Sequence, residues 1–405
     1  MRIFIRLSAL VLALFPLRVA LAAEGDLSFS VSPESAYSLL DETIRGAEKR
    51  IDLNIYMLTS RPINAALAAK AAAGVQVTIL MEGEVFGGEM LLPVKNALDE
   101  LNQAFAKTKG SSRFLVMTGN GDASKRRYVF NHAKYMLVDG KTAFVSSENI
   151  TGSAFNSRNF TGGTRGWQIA VEDKNVVAGL ARAFQADSSG ADVVPYDQAQ
   201  FKVKDPGNTP LPPRQPRTVN LFPVLRGRLD SASLCMSPKS LDCILTFIRS
   251  AKTSLDVQHM NLPRWWVNRS GGQHKENPIV NELVAAARRG VKVRVLLNDD
   301  DSFGDSGNSS GMKEERNDLT VAFLNGEASK YRIRLEAATF KHQAVQVNYV
   351  HNKGMISDGK RVFVSSINGT ENSVQNNREV AVDVTSEQAG KYFTDVFSQD
   401  WEMSK

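Results

Sequence analysis

The sequence predicts an α/β protein made of two α/β sandwich halves related by a pseudo-two-fold axis. Three observations lead there. A polar string occurs twice with identical spacing. Helix-then-strand patterns recur around it. A proline-rich connector lies near the middle of the 405 residues. A chain of this length holds two domains of ordinary size. Its composition, 42% hydrophobic and 23% charged, is that of a globular protein and not of a disordered one.

The first 22 residues read MRIFIRLSALVLALFPLRVALA. Arg2 and Arg6 precede an apolar run that ends in Ala20-Leu21-Ala22. This is the pattern of a secretory signal cut before Ala23, and the run is too short to span a bilayer comfortably. The expectation is an exported protein, periplasmic or secreted. The leader holds Arg2, Arg6 and Arg18 and no acid, so its removal lowers the formal net charge from +6 to +3. That is not the charge of a dedicated nucleic-acid binder.

Residues 23–204 form the first predicted half. Leu39 to Leu58 reads as an amphipathic helix, a break and a strand, and Asn64 to Gly83 as helix, glycine stop and a buried strand. An insert from Phe86 to Arg127 carries a predicted helix over Leu91 to Ala106. It ends in Lys125-Arg126-Arg127, which reads equally as a rim that attracts an anionic substrate or as a solvated loop. Asp205 to Pro216 holds five prolines in twelve residues and makes an extended linker.

The second half, residues 217–405, repeats the scheme. Cys243 to Leu262 copies the first helix–strand unit and Val280 to Asp299 the second, so each half reads as a β-α-β-β-like sandwich with its polar string on a central strand. Cys235 and Cys243 are expected to form a disulfide, which an oxidising compartment permits. Trp265-Trp266 opens a loop running through Val267 to Gly272. It suits a lipid-headgroup wall or membrane interface as well as ordinary packing. Asp299 to Gly304 has the look of a calcium loop, but Phe303 takes a ligand position, so it reads as a polar loop.

The repeated string is H-x-K-x4-D-x6-S-S-x-N. It contains His132, Lys134, Asp139, Ser147 and Asn149 in one copy, and His351, Lys353, Asp358, Ser366 and Asn368 in the other. A histidine can be nucleophile, base or acid near neutral pH. A lysine two residues on shares its strand face, and its ammonium can hold non-bridging phosphate oxygens as charge builds. The Ser and Asn, two apart on a predicted strand, can hydrogen-bond the same oxygens. Asp139 and Asp358 stand at Val-Asp-Gly and Ser-Asp-Gly, where tight-turn chemistry accounts for them as well as a supporting role does. Two imidazoles, two ammoniums and two hydroxyl/amide pairs suit one job, the handling of a phosphodiester. Asn54 and Gln258, with His259 beside the latter, are second-tier candidates on neighbouring strands.

These residues resemble the paired H-x-K-x4-D motifs of the phospholipase D superfamily. The resemblance implies halves packed face to face around one active site, and a two-step reaction through a phosphohistidine with no metal or other cofactor. It implies His132 as nucleophile and His351 as acid and base, beside Lys134 and Lys353. Ser146 and Ser365 depart from the family's usual Gly. The family often places a carboxylate at the position of Glu379, bonded to a catalytic histidine; the corresponding stretch of the first half offers Gln168. The expected substrate is a phospholipid, with peripheral membrane contact, and the expected state a monomer, since an internal duplication removes the need for a dimer. The alternative is a secreted nuclease acting on DNA or RNA, whose groove would have to use Lys107, Lys109, Arg113 and Lys125 to Arg127.

Overall fold

A computed structural model describes residues 26–85, 89–119, 122–156, 161–197, 199, 201–204, 216–219, 221–266, 274–300 and 316–405. The predicted leader, Phe86, the linker up to Gln215, the loop from Val267 to Gly272 and the stretch Asp301 to Gly304 lie outside the described residues.

The first half runs β1 (Leu27–Ser32), α1 (Ala36–Arg45), β2 (Arg50–Ile55), α2 (Arg61–Ala72), β3 (Gln76–Glu82), β4 (Glu89–Leu91), α3 (Leu92–Ala106), β5 (Arg113–Met117), β6 (Lys134–Val138), β7 (Thr142–Ser146), β8 (Thr164–Val171), α4 (Lys174–Ser188), β9 (Val193–Pro195) and β10 (Lys202–Lys204). The chain continues through β11 (Leu225–Gly227), β12 (Ser231–Ser237), α5 (Leu241–Ser250), β13 (Ser254–His259), β14 (Trp265–Trp266), β15 (Lys275–Glu276), α6 (Pro278–Arg288) and β16 (Lys292–Leu297). It closes with α7 (Asn317–Tyr331), β17 (Leu335–Thr339), α8 (His342–Val345), β18 (Tyr349–Val350), β19 (Lys353–Ser357), β20 (Arg361–Ser365), α9 (Glu371–Gln375), β21 (Glu379–Thr385) and α10 (Glu387–Ser404).

Local sequence explains the main elements. In α1 the apolar Leu39, Leu40 and Ile44 are buried on one face, and in α5 Ile244, Leu245, Phe247 and Ile248 are. Asp173 caps α4 by accepting from the N–H groups of Asn175 and Val176. Asn277 caps α6, whose first residue is Pro278. All eight residues of β8 are buried, because the strand lies inside a sheet covered on both faces.

The strands form two large sheets, one per half. Their orders are β11-β1-β8-β7-β6-β2-β3-β5-β9 and β12-β21-β20-β19-β13-β16-β17. The motif strands β6 and β19 are central in each, as the repeat predicts. Three apolar clusters hold the layers. One lies outside the first sheet under α1, α2 and α3, and one outside the second under α5 and α6. The third lies between the sheets and joins Tyr135, Trp167 and Phe184 to Phe340, Val382, Phe393 and Trp401. This is the shared apolar interface that one common site requires.

The halves also exchange backbone. β11, from the segment assigned by sequence to the second half, pairs with β1. β18, just ahead of His351, pairs with β8. An isolated bridge joins Asn131, just ahead of His132, to Arg378. Cys235 and Cys243 form a disulfide that ties β12 to α5, with the α-carbons 6.0 Å apart.

Asp139 and Asp358 are turn residues. Asp139 and Gly140 have φ of 54° and 67°, and the Lys141 N–H donates to Val138 O, which makes a two-residue hairpin turn of the primed type. Asp358 and Gly359 repeat it with φ of 53° and 67°. The Asp139 carboxylate accepts from the backbone N–H groups of Glu48, Lys49 and Arg50 at 2.7–2.8 Å, and Asp358 does the same for Lys252, Thr253 and Ser254. Each aspartate thus fastens the motif hairpin to the start of the neighbouring strand. Asp139→Ala is expected to destabilise the fold by about 1–2 kcal/mol in chemical denaturation, through the left-handed backbone and the lost acceptors. An unchanged midpoint would show that water replaces the carboxylate there.

Candidate active site

His132 lies two residues ahead of β6 and His351 two residues ahead of β19. The other half anchors each one. The His132 N–H donates to Arg378 O at 2.8 Å and the His351 N–H to Arg165 O at 2.9 Å. The peptide ahead of each histidine is held as well: Asn131 N–H donates to Glu82 Oε2 at 2.7 Å and Val350 N–H to Asn298 Oδ1 at 2.8 Å. The backbone at each imidazole is therefore fixed from two sides.

The arginines that supply those carbonyls are themselves clamped across the interface. Arg378 pairs with Asp187 at 2.8 Å and Arg165 with Asp400 at 2.9 Å. Glu34 adds a second carboxylate to Arg165 and also meets Arg217. The two arginine–aspartate bridges each join an arginine of one half to an aspartate of the other. Gln258 donates to Asp400 and accepts from Asn352, beside His351; Asn54 accepts from Asn131, beside His132. Both second-tier candidates hold the side-chain amide of an asparagine next to a histidine.

Each imidazole meets a buried carboxylate through Nδ1. Both Glu379 oxygens lie within 2.9 Å of His132 Nδ1. The Ser366 hydroxyl donates to Glu379 at 2.6 Å and the Asn377 amide at 3.1 Å, so that carboxylate is fully held. The partner of His351 is Glu148, with Oε2 at 3.1 Å from Nδ1, off the axis of a good hydrogen bond; its other oxygen accepts from Ser32 Oγ. A carboxylate on Nδ1 leaves Nε2 as the free nitrogen for chemistry.

Lys134 Nζ donates to His132 O at 2.6 Å and Lys353 Nζ to His351 O at 2.5 Å, so each ammonium folds over its own motif. The two motifs share one electrostatic site. Lys353 depresses His132, and Lys134 depresses His351. Burial lowers both imidazoles to about 4 against the pull of Glu379 and Glu148. Burial likewise brings Lys134 down to about 7 and Lys353 well below its ordinary range, the latter with Lys134 adding to the effect. Two ammoniums crowded into a dry site favour an anion between them.

The pH dependence of stability follows. The imidazoles have folded values near 4 and an ordinary unfolded value of about 6.5. Inside that window the unfolded chain binds protons that the folded chain does not. The imidazoles' contribution to stability is fully present above about pH 6.5 and is lost as pH falls toward 4. Lys134, brought down to about 7 in the fold from an ordinary value of 10.5, acts in the same direction at higher pH, so the melting temperature is expected to fall from pH 8 to 7 and further from pH 6.5 to 5. A flat profile across that range would mean solvated imidazoles.

Aromatic rings line the pair. The Tyr56 ring lies 4.8 Å from that of His132, and burial pushes its phenol up to about 12. Tyr349 lies edge-on to His351 at 6.1 Å. Lys134 sits 5.4 Å above Tyr56, whereas Lys353 reaches Met260 Sδ at 3.4 Å, so the two sides of the site differ.

Several expected roles are redistributed. Asp139 and Asp358 stand at the far end of the five-residue strands β6 and β19, roughly 16 Å from the site, and do not support it directly. Strands β7 and β20 end at Ser146 and Ser365, so Ser147 and Ser366 lie past the strand and not on it. The Ser147 hydroxyl accepts from Trp167 N–H and that of Ser366 from Val380 N–H; both are buried, and the Ser366 hydroxyl also donates to Glu379. The Ser146 and Ser365 hydroxyls accept from the N–H two residues on, which tightens the bend where the family usually has Gly. Asn149 and Asn368 are half-buried, each with a buried Oδ1 that has no partner among the described residues.

Gln168 takes the Ser30 hydroxyl and does not reach a histidine. Within the Lys125-Arg126-Arg127 cluster, Arg126 is buried between Glu82 and Glu84, and Arg127 holds Asp192 and the carbonyls at the end of α4. Only Lys125 remains outside, beside Asp122. Trp266 is buried and donates to Gly369 O; Trp265 is half-buried under Arg264. His259 is buried, pushed down to about 3 by burial, and stays a packed histidine. Sequence reasoning missed Glu148, Tyr56, Glu82 and the Arg–Asp clamps. One signal for Glu148 was present: it is the variable residue of the repeated string, with Ile367 opposite.

Comparison with known proteins agrees with this geometry. Residues 40–187 and 244–401 match the family described as Cardiolipin synthase, PLD-like domain. The chain is 26% identical over 379 residues to the Probable cardiolipin synthase YwiE of Bacillus subtilis (strain 168), covering 92% of this chain and 65% of that protein. It thus spans less than two thirds of that relative's length. Among solved structures, the phosphatidylserine synthase of Haemophilus influenzae Rd KW20 has the same fold, with a TM-score of 0.60 at 13% identity, over 93% of this chain and 85% of that one. The match over both halves, each bearing its His-x-Lys motif, places the chain in the phospholipase D superfamily, within the family described as Cardiolipin synthase, PLD-like domain.

Proposed function

We propose that the chain is an exported phosphatidyl-transferring enzyme that acts on a phospholipid headgroup. His132 Nε2 attacks phosphorus and the bond to the headgroup oxygen breaks; His351, present as the imidazolium once the bound phosphate anion and Glu148 stabilise its charge, gives that oxygen its Nε2 proton and is left neutral. The phosphatidyl group is then held on His132. His351 next takes the proton of an incoming alcohol, or of water, whose oxygen attacks phosphorus and releases His132. An alcohol acceptor exchanges the headgroup; water hydrolyses it.

One observation carries the reading: two imidazoles, each with a carboxylate on Nδ1, lie with two buried ammoniums in a single electrostatic site. The named relative, a probable cardiolipin synthase, supports a lipid substrate and an alcohol acceptor. Export is supported by the leader pattern. No described helix is long and apolar enough to cross a membrane. A nucleic-acid substrate loses part of its support, because Arg126 and Arg127 are engaged by carboxylates, which leaves Lys107, Lys109, Arg113 and Lys125 as the exposed cations of that stretch.

The test incubates the protein, in chelator, with phosphatidylglycerol, phosphatidylcholine, single-stranded DNA and bis-p-nitrophenyl phosphate, with and without glycerol. Headgroup release or exchange without loss of DNA is the expected result. Loss of DNA alone would replace the proposal with the nuclease.

A further inference from the structure

The two halves bring their carboxylates to the histidines from different places on the backbone. In the second half the Ser366 N–H donates to Val380 O, and β20 pairs Ser365 with Ala381. In the first half the Ser147 N–H donates to Trp167 O, and β7 pairs Ser146 with Gln168. This shared register makes Ala381 the counterpart of Gln168 and Val380 that of Trp167. The counterpart of Glu379 is therefore Gly166, and that of Glu148 is Ile367. The first half has no side chain at all where the second keeps its carboxylate.

Gly166 is not there for its backbone, since its φ lies outside the left-handed region. It is there for space. A Cβ on residue 166 would lie 2.4 Å from Glu148 Cγ and 2.6 Å from Glu148 Oε1. The Glu148 side chain runs across the face of the glycine and occupies the position from which a glutamate at 166 would start. Its carboxylate then lies 3.1 Å from His351 Nδ1 and is steadied by Ser32, on the strand beside Gly166. His351 hangs from Arg165 O as His132 hangs from Arg378 O, so both imidazoles present the same edge to residues 166 and 379.

We infer that Glu148 is the positioning carboxylate of His351, and that Gly166 is its complement: the two together replace the single glutamate that serves His132. The inference rests on the reading that both histidines act on one phosphodiester. Glu148 holds the His351 proton on Nδ1 and leaves Nε2 free to take the acceptor's proton. Its contact, off axis in the resting enzyme, is aligned when a phosphate anion settles the ring.

The experiment compares the parent with E148A, G166A and the double variant E148A/G166E, in which alanine removes the Cγ that would meet the new Cβ. Histidines are labelled with 15N, and NMR reads the His351 tautomer; H351N identifies its signals. The parent is expected to show the proton on Nδ1, E148A to lose that preference, and E148A/G166E to regain it. In turnover of bis-p-nitrophenyl phosphate, E148A is expected to lower kcat by about 10²–10⁴-fold with little change in KM. E148A/G166E is expected to recover at least about tenfold of this, and G166A to lower kcat with Glu148 still present. A His351 tautomer unchanged in E148A, or parental kcat and pH profile in E148A, would overturn the assignment. Should the double variant not fold, the E148A comparison decides alone. A parent inert on every phosphodiester removes the proposed function but not this test, because the tautomer is read without turnover.

Discussion

His132→Asn is expected to reduce turnover of a phosphodiester to background, a loss of about 10⁴-fold or more. The carboxylate of Glu379 occupies Nδ1, so Nε2 is the nitrogen from which a bond to phosphorus can form. Asparagine keeps much of the shape and cannot make that bond. His351→Asn should behave differently with a p-nitrophenyl leaving group, which departs without a proton. In that variant the first step survives as a burst of nitrophenolate, and the second step is slowed. Acid-labile, alkali-stable phosphate should then accumulate on His132. A burst that survives in His132→Asn and is lost in His351→Asn would reverse the two roles.

Asp187→Ala is expected to destabilise the protein by about 3–5 kcal/mol, because it leaves a largely buried guanidinium without its carboxylate. Arg378 keeps Ser237 O and Tyr128 as neighbours, but Asp187 is its partner of opposite charge. Asp400→Ala should cost less, since Arg165 retains Glu34. Replacing both members of the first pair, in R378M/D187L, should recover part of the loss, as apolar side chains suit a buried position better than a stranded charge. Urea denaturation of the three variants checks the order. Equal effects for Asp187→Ala and Asp400→Ala would mean that Glu34 does not compensate.

Much of this protein is legible in its sequence, and the reason is repetition. Helices α1, α2, α5 and α6 with their following strands stand where the repeated apolar patterns put them, and helix α3 occupies the insert where Leu91 to Ala106 forecasts it. The histidines and lysines are legible because chemistry demands those types at that spacing. What is not legible arises from contacts across the interface. Arg165 and Asp400 are 235 residues apart, and no local pattern links them. Glu148 is hidden for a different reason. An alignment of the halves by text sets Glu379 against Gln168, whereas the hydrogen-bond register sets it against Gly166. Strand β8 is wholly buried, so its apolar and small residues show no alternation from which the offset of two is readable. The bend-closing bonds of Ser146 and Ser365 and the cross-strand bonds of Ser147 and Ser366 are likewise set by neighbouring backbone that the motif's spacing does not reveal.

Backbone exchange between the sheets has a consequence for how the molecule fails. Each histidine's amide hydrogen terminates on a carbonyl belonging to the opposite moiety. Neither portion, produced alone, would carry a finished reaction centre; mixing the separated pieces should regenerate one only on reassembly. Loss of catalysis and parting of the moieties are then a single event, and an inhibitor that wedges them open need never enter the cleft.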